Sequence, residues 1–344
     1  MTTELNEQEA AALVALQRGI AVTERPFAEL GAACGLSETA VLDLVRRLQA
    51  SGDARRFGAV FDGRRFGYRS ALCAMTVPRA RLDEVAGKAA AVRGVTHVYE
   101  RGWPEELSRE LPGGPGGRSW PNLWFTLSSA GETFVAELET LRAACQPYAI
   151  HELPATRRFK IDVVFDLRTR ERDERVEPRQ PPEQEPARIT VLDAAERAVV
   201  RSLQGDVPVC ARFYQAAAER LGLTEDGLTG QLRAWQASGV LRRIGLLLRH
   251  REIGFKANGM CCWEVPEAEM VEAGRRVAAC PEVTHCYARP RMDVFPFRLY
   301  AMIHTMEWRT TQRLYERITR EAGLADGQLL LSVKEFKKTS VQFF

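Results

Sequence analysis

Along the first fifty residues, apolar positions recur at helical steps. Residues 10–18 and 26–34 read as two helices, Gly35-Leu36 makes a turn, and Ser37 caps a third helix in which Val41, Leu44, Val45 and Leu48 share one face. Residues 55–61, the turn pair Asp62-Gly63 and residues 64–68 then predict a two-stranded wing, completing a winged helix-turn-helix. An apolar strand follows (71–77), then a helix (81–92), then a strand carrying Thr96-His97-Val98-Tyr99-Glu100-Arg101, and a further strand, helix and strand. That βαββαβ order is ferredoxin-like, and its two helices cover one sheet face, leaving the other for a partner sheet or a ligand.

The whole pattern occurs twice. Arg55-Arg56-Phe57-Gly58 aligns with Arg242-Arg243-Ile244-Gly245, and Phe66-Gly67-Tyr68 with Ile253-Gly254-Phe255, both at an offset of 187. Val95-Thr96-His97-Val98-Tyr99-Glu100-Arg101 matches Val283-Thr284-His285-Cys286-Tyr287-Ala288-Arg289 at an offset of 188. Farther on, Pro121-Asn122-Leu123-Trp124 faces the segment ending in Leu299-Tyr300, and Arg157-Arg158-Phe159-Lys160 faces Lys334-Glu335-Phe336-Lys337. The second set of strands and helices begins at residues 257–265 and 267–279, after a third helix opened by Leu223-Thr224-Glu225. Residues 167–188 are charged, proline-rich and poor in apolar side chains, as a solvated linker is. The expected fold is therefore α+β, with helix-turn-helix modules at 1–68 and 189–255, ferredoxin-like domains at 69–166 and 256–344, and a linker at 167–188.

A length of 344 residues, 45% hydrophobic and 27% charged, suits such a multidomain globular chain. No apolar run reaches membrane-spanning length, and the acidic start lacks the features of a secretory signal, so a cytoplasmic location without membrane contact is expected. The eight cysteines lie at spacings that suggest buried thiols, with no zinc pattern; Cys261, Cys262 and Cys286 are read the same way. A net charge of +3 does not announce a polyanion binder, yet only six of the 48 basic residues are Lys, and arginine supplies forks for carboxylates and phosphates. At the start of the third helices, where such modules read DNA, Glu38, Asp43, Glu225 and Asp226 put negative charge. Both modules are accordingly read as scaffolds or dimerisation elements, and no DNA partner is expected.

Chemistry concentrates on the strands. Alternation puts His97, Tyr99 and Arg101 on one face, and His285, Tyr287 and Arg289 on the equivalent face, with Cys286 toward the helices. In the next strand Leu299, Ala301 and Ile303 form the apolar set, so Tyr300 and His304 join the second group on the uncovered face. Arg291 and Arg298, and Arg109 and Arg118 on the glycine-rich loop at 112–117, are within reach of an anionic ligand. His151 and His250 are read as structural.

Taken jointly, Thr284-His285-Cys286-Tyr287-Ala288-Arg289-Pro290, Leu299-Tyr300-Ala301-Met302-Ile303-His304 and Lys334-Glu335-Phe336-Lys337-Lys338-Thr339-Ser340 resemble the siroheme decarboxylases, a family derived from Lrp/AsnC regulators. The chain looks like the form in which two subunits are fused, as in heme d1 biosynthesis and denitrification. The resemblance implies removal of the carboxyl groups of two acetate side chains of siroheme, giving 12,18-didecarboxysiroheme. Siroheme is then the substrate and no added cofactor is needed. It implies His285 and His304 as proton donors or carboxylate orienters, assisted by Tyr287. Arg289 and Arg298 would pin carboxylates, Tyr300 would pack on the ring, and His97, Tyr99, Arg101 and Trp124 would contribute substrate contacts from the first half. No metal ligand set is assigned. Ser128 stands where His304 stands, and Gly102 where Pro290 stands, so loss of His304 is expected to abolish turnover and loss of His97 only to weaken it. A homodimer or a complex with homologous subunits is the expected assembly. The competing readings are an Lrp-type ligand-sensing regulator and a non-catalytic tetrapyrrole-binding subunit.

Overall fold

The computed structural model describes residues 5–103, 120–161, 164–165, 188–249, 252–325 and 327–344. The linker core, the glycine-rich loop with Arg109 and Arg118, and His250 lie outside the described residues.

The two helix-turn-helix modules repeat down to their caps. α1 (Glu7–Arg18) opens on a capping box between Asn6 and Glu9, and α6 (Ala194–Leu203) on one between Asp193 and Glu196. α2 (Pro26–Cys34) and α7 (Phe213–Leu221) end at left-handed Gly35 and Gly222, which spares a side chain the steric cost of that backbone. α3 (Glu38–Ala50) and α8 (Glu225–Ala237) start from Ser37 and Thr224, whose hydroxyls accept from the amides of Ala40 and Gly227. Val41, Leu44, Val45 and Leu48 are fully buried, in one apolar core shared by both modules.

The wing differs from the expectation. β1 (Ala54–Phe61) does not fold back through Asp62-Gly63; it pairs antiparallel with β7 (Leu241–Leu248) of the other module, Gly58 opposite Gly245. Asp62 instead caps a 3-10 turn over Gly63–Phe66. The close approach of helix ends explains the repeated glycine. A Cβ on Gly58 would stand 2.2 Å from the Gly205 carbonyl oxygen, and one on Gly245 2.4 Å from that of Leu16. Each strand thus lies against the opposite module, and the ribbon edges are used up internally.

β2 (Tyr68–Met75), β3 (Val95–Gly102), β4 (Leu123–Ala130) and β5 (His151–Pro154) carry α4 (Leu82–Ala91) and α5 (Gly131–Ala144) on one face. In the second half, β8 (Ala257–Trp263), β9 (Val283–Ala288) and β10 (Leu299–Thr305) are backed by α9 (Met270–Ala279) and α10 (Trp308–Glu321). These are two ferredoxin-like units, but they share strands. β6 (Arg157–Ile161), from the first half, pairs with β9. β11 (Gly327–Lys338) pairs with β8 through its first residues and with β3 through the rest. The result is one nine-stranded sheet in the order β5-β2-β4-β3-β11-β8-β10-β9-β6. Its outer strands β5 and β6 are consecutive in the chain, so the sheet rolls toward closure.

Between the two half-sheets lies an apolar plug of Trp120, Trp124, Leu153, Met260, Met292, Phe295, Phe297, Tyr300 and Leu330. Beyond β6 and β11 each arm returns to its own helix-turn-helix. The Phe165 amide donates to Gln17 and the Gln17 amide to the Phe165 carbonyl, both at 2.8 Å; Gln204 and Phe343 repeat this pair of bonds.

Candidate active site

The inner face of the rolled sheet gathers the sequence candidates. On β9 and β10, Cys286, Leu299, Ala301 and Ile303 face the helices and are buried to 1% exposure or less. His285, Tyr287, Met302 and His304 face inward and retain partial exposure, as do His97 and Thr126 of the first half. An inward set more accessible than the helix-facing set means the sheet's interior is not completely packed. His285 stacks on Tyr287 with centroids 6.2 Å apart, and His97 on Tyr99 at the same distance. The Arg289 guanidinium lies 5.0 Å from the Tyr287 ring and 5.7 Å from that of Tyr300; Arg101 lies 5.3 Å from Tyr99. Two ladders of histidine, tyrosine and arginine therefore run along equivalent strands.

The ladders differ at their histidine ends. His304 has both ring nitrogens within bonding distance of protein groups: Nε2 is 3.1 Å from Asn258 Nδ2, and Nδ1 is 3.3 Å from Thr284 Oγ1. Phe165 meets its ring edge-on at 5.6 Å. His285 Nδ1 is 3.1 Å from the same Thr284 hydroxyl. In the first half, His97 Nδ1 is 2.9 Å from Thr96, but Ser128 and Ser70 occupy the positions of His304 and Asn258.

Positive charge surrounds both histidines. Burial, then the charges of Arg242 and Arg289, lower the His285 imidazole to about 4. Burial, then Lys338, Arg55, His285 and Arg101, lower His97 to about 3. Both rings are consequently neutral at pH 7. Arg101 is 6% exposed, and its Nε and Nη1 have no hydrogen-bond partner among the described residues. Burial lowers this guanidinium to about 10, so it still carries its charge. A buried, charged fork without a carboxylate is costly unless a ligand completes it. Arg289 donates to the Leu153 carbonyl across the half-sheets, and its Nε is likewise unmatched.

Other candidates go elsewhere. Arg298 is paired with Glu267, and Arg291 with Glu264 at 3.7 Å. Trp124 is 1% exposed inside the apolar plug, its indole donating to the Pro121 carbonyl. Tyr300 also sits in the plug, 6.2 Å from Phe295. Sequence reasoning missed Thr284, Thr96, Asn258 and the basic side chains from the wings and arms, Arg55, Arg242, Arg158 and Lys338. The signal for several was present, because Thr-His and Arg-Arg are repeated in both halves. Asp62 holds Arg242 at 3.0 Å and Arg64 at 2.7 Å; burial opposes its charge, but the two guanidiniums keep its carboxyl well below the usual range.

A family model for the AsnC-like ligand-binding domain matches residues 65–160 and 252–337, and one for the siroheme decarboxylase NirDL-like HTH domain matches 9–55 and 196–242. The siroheme decarboxylase of Hydrogenobacter thermophilus is 34% identical over 96% of this chain and 92% of its own length. This chain belongs to the siroheme decarboxylase family. Its members are carboxy-lyases. The crystal structure of the siroheme decarboxylase NirDL is 30% identical, with a TM-score of 0.67 covering 98% of this chain and 94% of that one. A co-complex of NirDL with an iron-uroporphyrin III analogue aligns over the same shares, with a TM-score of 0.65 and 29% identity. Within the siroheme decarboxylase fold, no group of three or more His, Cys, Asp or Glu side chains suited to a metal ion occurs among the described residues. All eight cysteines are free. No helix of the described residues is long and apolar enough to cross a membrane.

Proposed function

We propose that this chain decarboxylates siroheme inside the rolled sheet, converting two acetate arms to methyl groups on the route toward 12,18-didecarboxysiroheme. The observation that carries the assignment of the site is Arg101, a buried guanidinium with unmatched donors beside a histidine-tyrosine ladder. Arg101 and Arg289 bind substrate carboxylates, which complete donors left unmatched among the described residues. Tyr99 and Tyr287 present ring faces and edges to the macrocycle, while Tyr300, held in the plug, backs the Arg289 guanidinium.

Each turnover breaks the bond between an acetate methylene and its carboxylate carbon. Carbon dioxide leaves, the electron pair stays on the methylene and is absorbed by the conjugated ring, and one proton must then reach that carbon. His285 delivers it. The unliganded imidazole is neutral, but a polycarboxylate placed among Arg242, Arg289 and His285 reverses the local field and raises its proton affinity. Binding thus loads the acid that the reaction consumes. The assembly expected is a homodimer or a complex with homologous decarboxylase subunits, placed in heme d1 formation.

The test is anaerobic incubation of the purified chain with siroheme, followed by mass analysis of the pigment. Loss of two carboxyl groups as carbon dioxide is expected, and unchanged siroheme overturns the assignment. His285→Ala is expected to abolish turnover, with His304→Ala costing far more than His97→Ala. Equal losses from the last two would remove the asymmetry between the halves.

A further inference from the structure

Four neighbouring strands carry a hydrogen-bonded chain that ends on the proton-delivering imidazole. Ser332 of β11 donates to Asn258 Oδ1 of β8 at 3.3 Å. That bond turns the Asn258 amide nitrogen toward His304 Nε2 of β10, 3.1 Å away. A nitrogen that receives a hydrogen bond carries no proton in the neutral ring, so the proton of His304 sits on Nδ1. Nδ1 points at Thr284 Oγ1 of β9, at 3.3 Å. Thr284 has a single hydroxyl hydrogen, and the Met302 carbonyl oxygen at 3.1 Å can only accept it. The hydroxyl's lone pairs then accept from His304 Nδ1 and from His285 Nδ1, the latter at 3.1 Å.

We propose that Ser332, Asn258, His304 and Thr284 are positioning residues that lock His285 in its Nδ1-protonated tautomer, leaving Nε2 to take up and deliver the proton. His304, with both nitrogens engaged, acts through Thr284 rather than on substrate. The chain is specific to the second half. Thr96 contacts His97 and the Thr126 carbonyl in the same way, but Ser70 and Ser128 replace the Asn258-His304 pair, so among the described residues no second imidazole shares the Thr96 hydroxyl and extends the chain. Phe165, edge-on to His304, and buried Asn258 and Ser332 shield the chain from water that would compete for these bonds. Among the described residues, the charged and titratable groups facing His285 are Arg242 from the wing, Tyr287 from its own strand, Arg289 just beyond that strand's end, His304 through the shared Thr284 hydroxyl, and His97 across the sheet.

The inference rests on the decarboxylase reading for its role but not for its geometry, and the experiment separates the two. Long-range proton-nitrogen spectra of the full chain with labelled histidine report each tautomer without substrate. His285 and His304 are expected as Nδ1–H forms at pH 7.5, and Thr284→Val is expected to move His285 toward the Nε2–H form. With siroheme, Thr284→Val is expected to lower kcat by tenfold or more at nearly constant KM, and Thr284→Ser to restore it. An Nε2–H form of His285 in the wild type, or a Thr284→Val variant with unchanged tautomer or unchanged kcat, overturns the inference. The wild-type tautomer alone decides the geometry if Thr284→Val fails to fold. Correct tautomers and an intact response in a protein that leaves siroheme unchanged would instead remove the decarboxylase reading and keep the network.

Discussion

His97 and His285 sit at equivalent places in the repeat and share a cause for their low proton affinity: burial first, then cationic neighbours, which are Lys338, Arg55 and Arg101 for one and Arg242 and Arg289 for the other. A histidine whose folded-state affinity is depressed is protonated more readily in the unfolded chain. Its contribution is therefore intact above about pH 6.5 and is lost as pH falls toward the folded values of about 3 and about 4. Between pH 7.5 and pH 5 this amounts to about 2 kcal/mol for each ring. Urea unfolding at the two pH values is expected to show a smaller acid loss in a His97→Gln/His285→Gln variant than in the wild type, and parallel losses would contradict the assignment. The histidine-tyrosine-arginine ladders were legible in the chain because strand alternation fixes which side chains share a face. Arg298 was not, because its capture by Glu267 depends on where a 3-10 turn after β8 falls.

At the level of elements, the acids that open α3 and α8 have a definite structural use. Glu38 is bound by Arg25, and Glu225 by Arg212 at 2.6 Å, so each ion pair joins the third helix to the residue that precedes the second. These carboxylates also complement the helix N-termini, where a phosphate would otherwise find its attraction. A gel-shift titration with mixed duplex DNA at low salt is expected to show no salt-sensitive complex. A strong complex weakening steeply with salt would favour the regulator reading. The wing is the element that local sequence misled. Asp-Gly is a good hairpin turn, but β1 finds a more extensive partner in β7, and the pairing brings the two Arg-Arg-x-Gly segments together around Gly58 and Gly245.

Across the whole molecule, the two half-sheets are held face to face by the apolar plug, with Phe295 at its centre. Its ring is fully buried and lies 5.2 Å from Trp120, 5.4 Å from Trp124 and 4.7 Å from Phe297. Phe295→Ala is expected to cost about 3–5 kcal/mol in urea unfolding, a cavity cost with little chance of collapse between two sheets. A loss below about 1 kcal/mol would mean that the plug does not join the halves. The sequence by itself determined the duplication, the order of helices and strands, and which inward faces carry histidine, tyrosine and arginine, because periodicity and caps act over a few residues. Only the tertiary structure decided the exchange of wings and arms, the sharing of nine strands, and the delivery of Arg55, Arg242, Arg158 and Lys338 to the neighbourhood of those faces. Strand pairing is a contest between edges far apart in the chain. Two repeats of nearly the same sequence offer each edge two similar partners, and the choice falls to whichever arrangement buries the most surface in three dimensions.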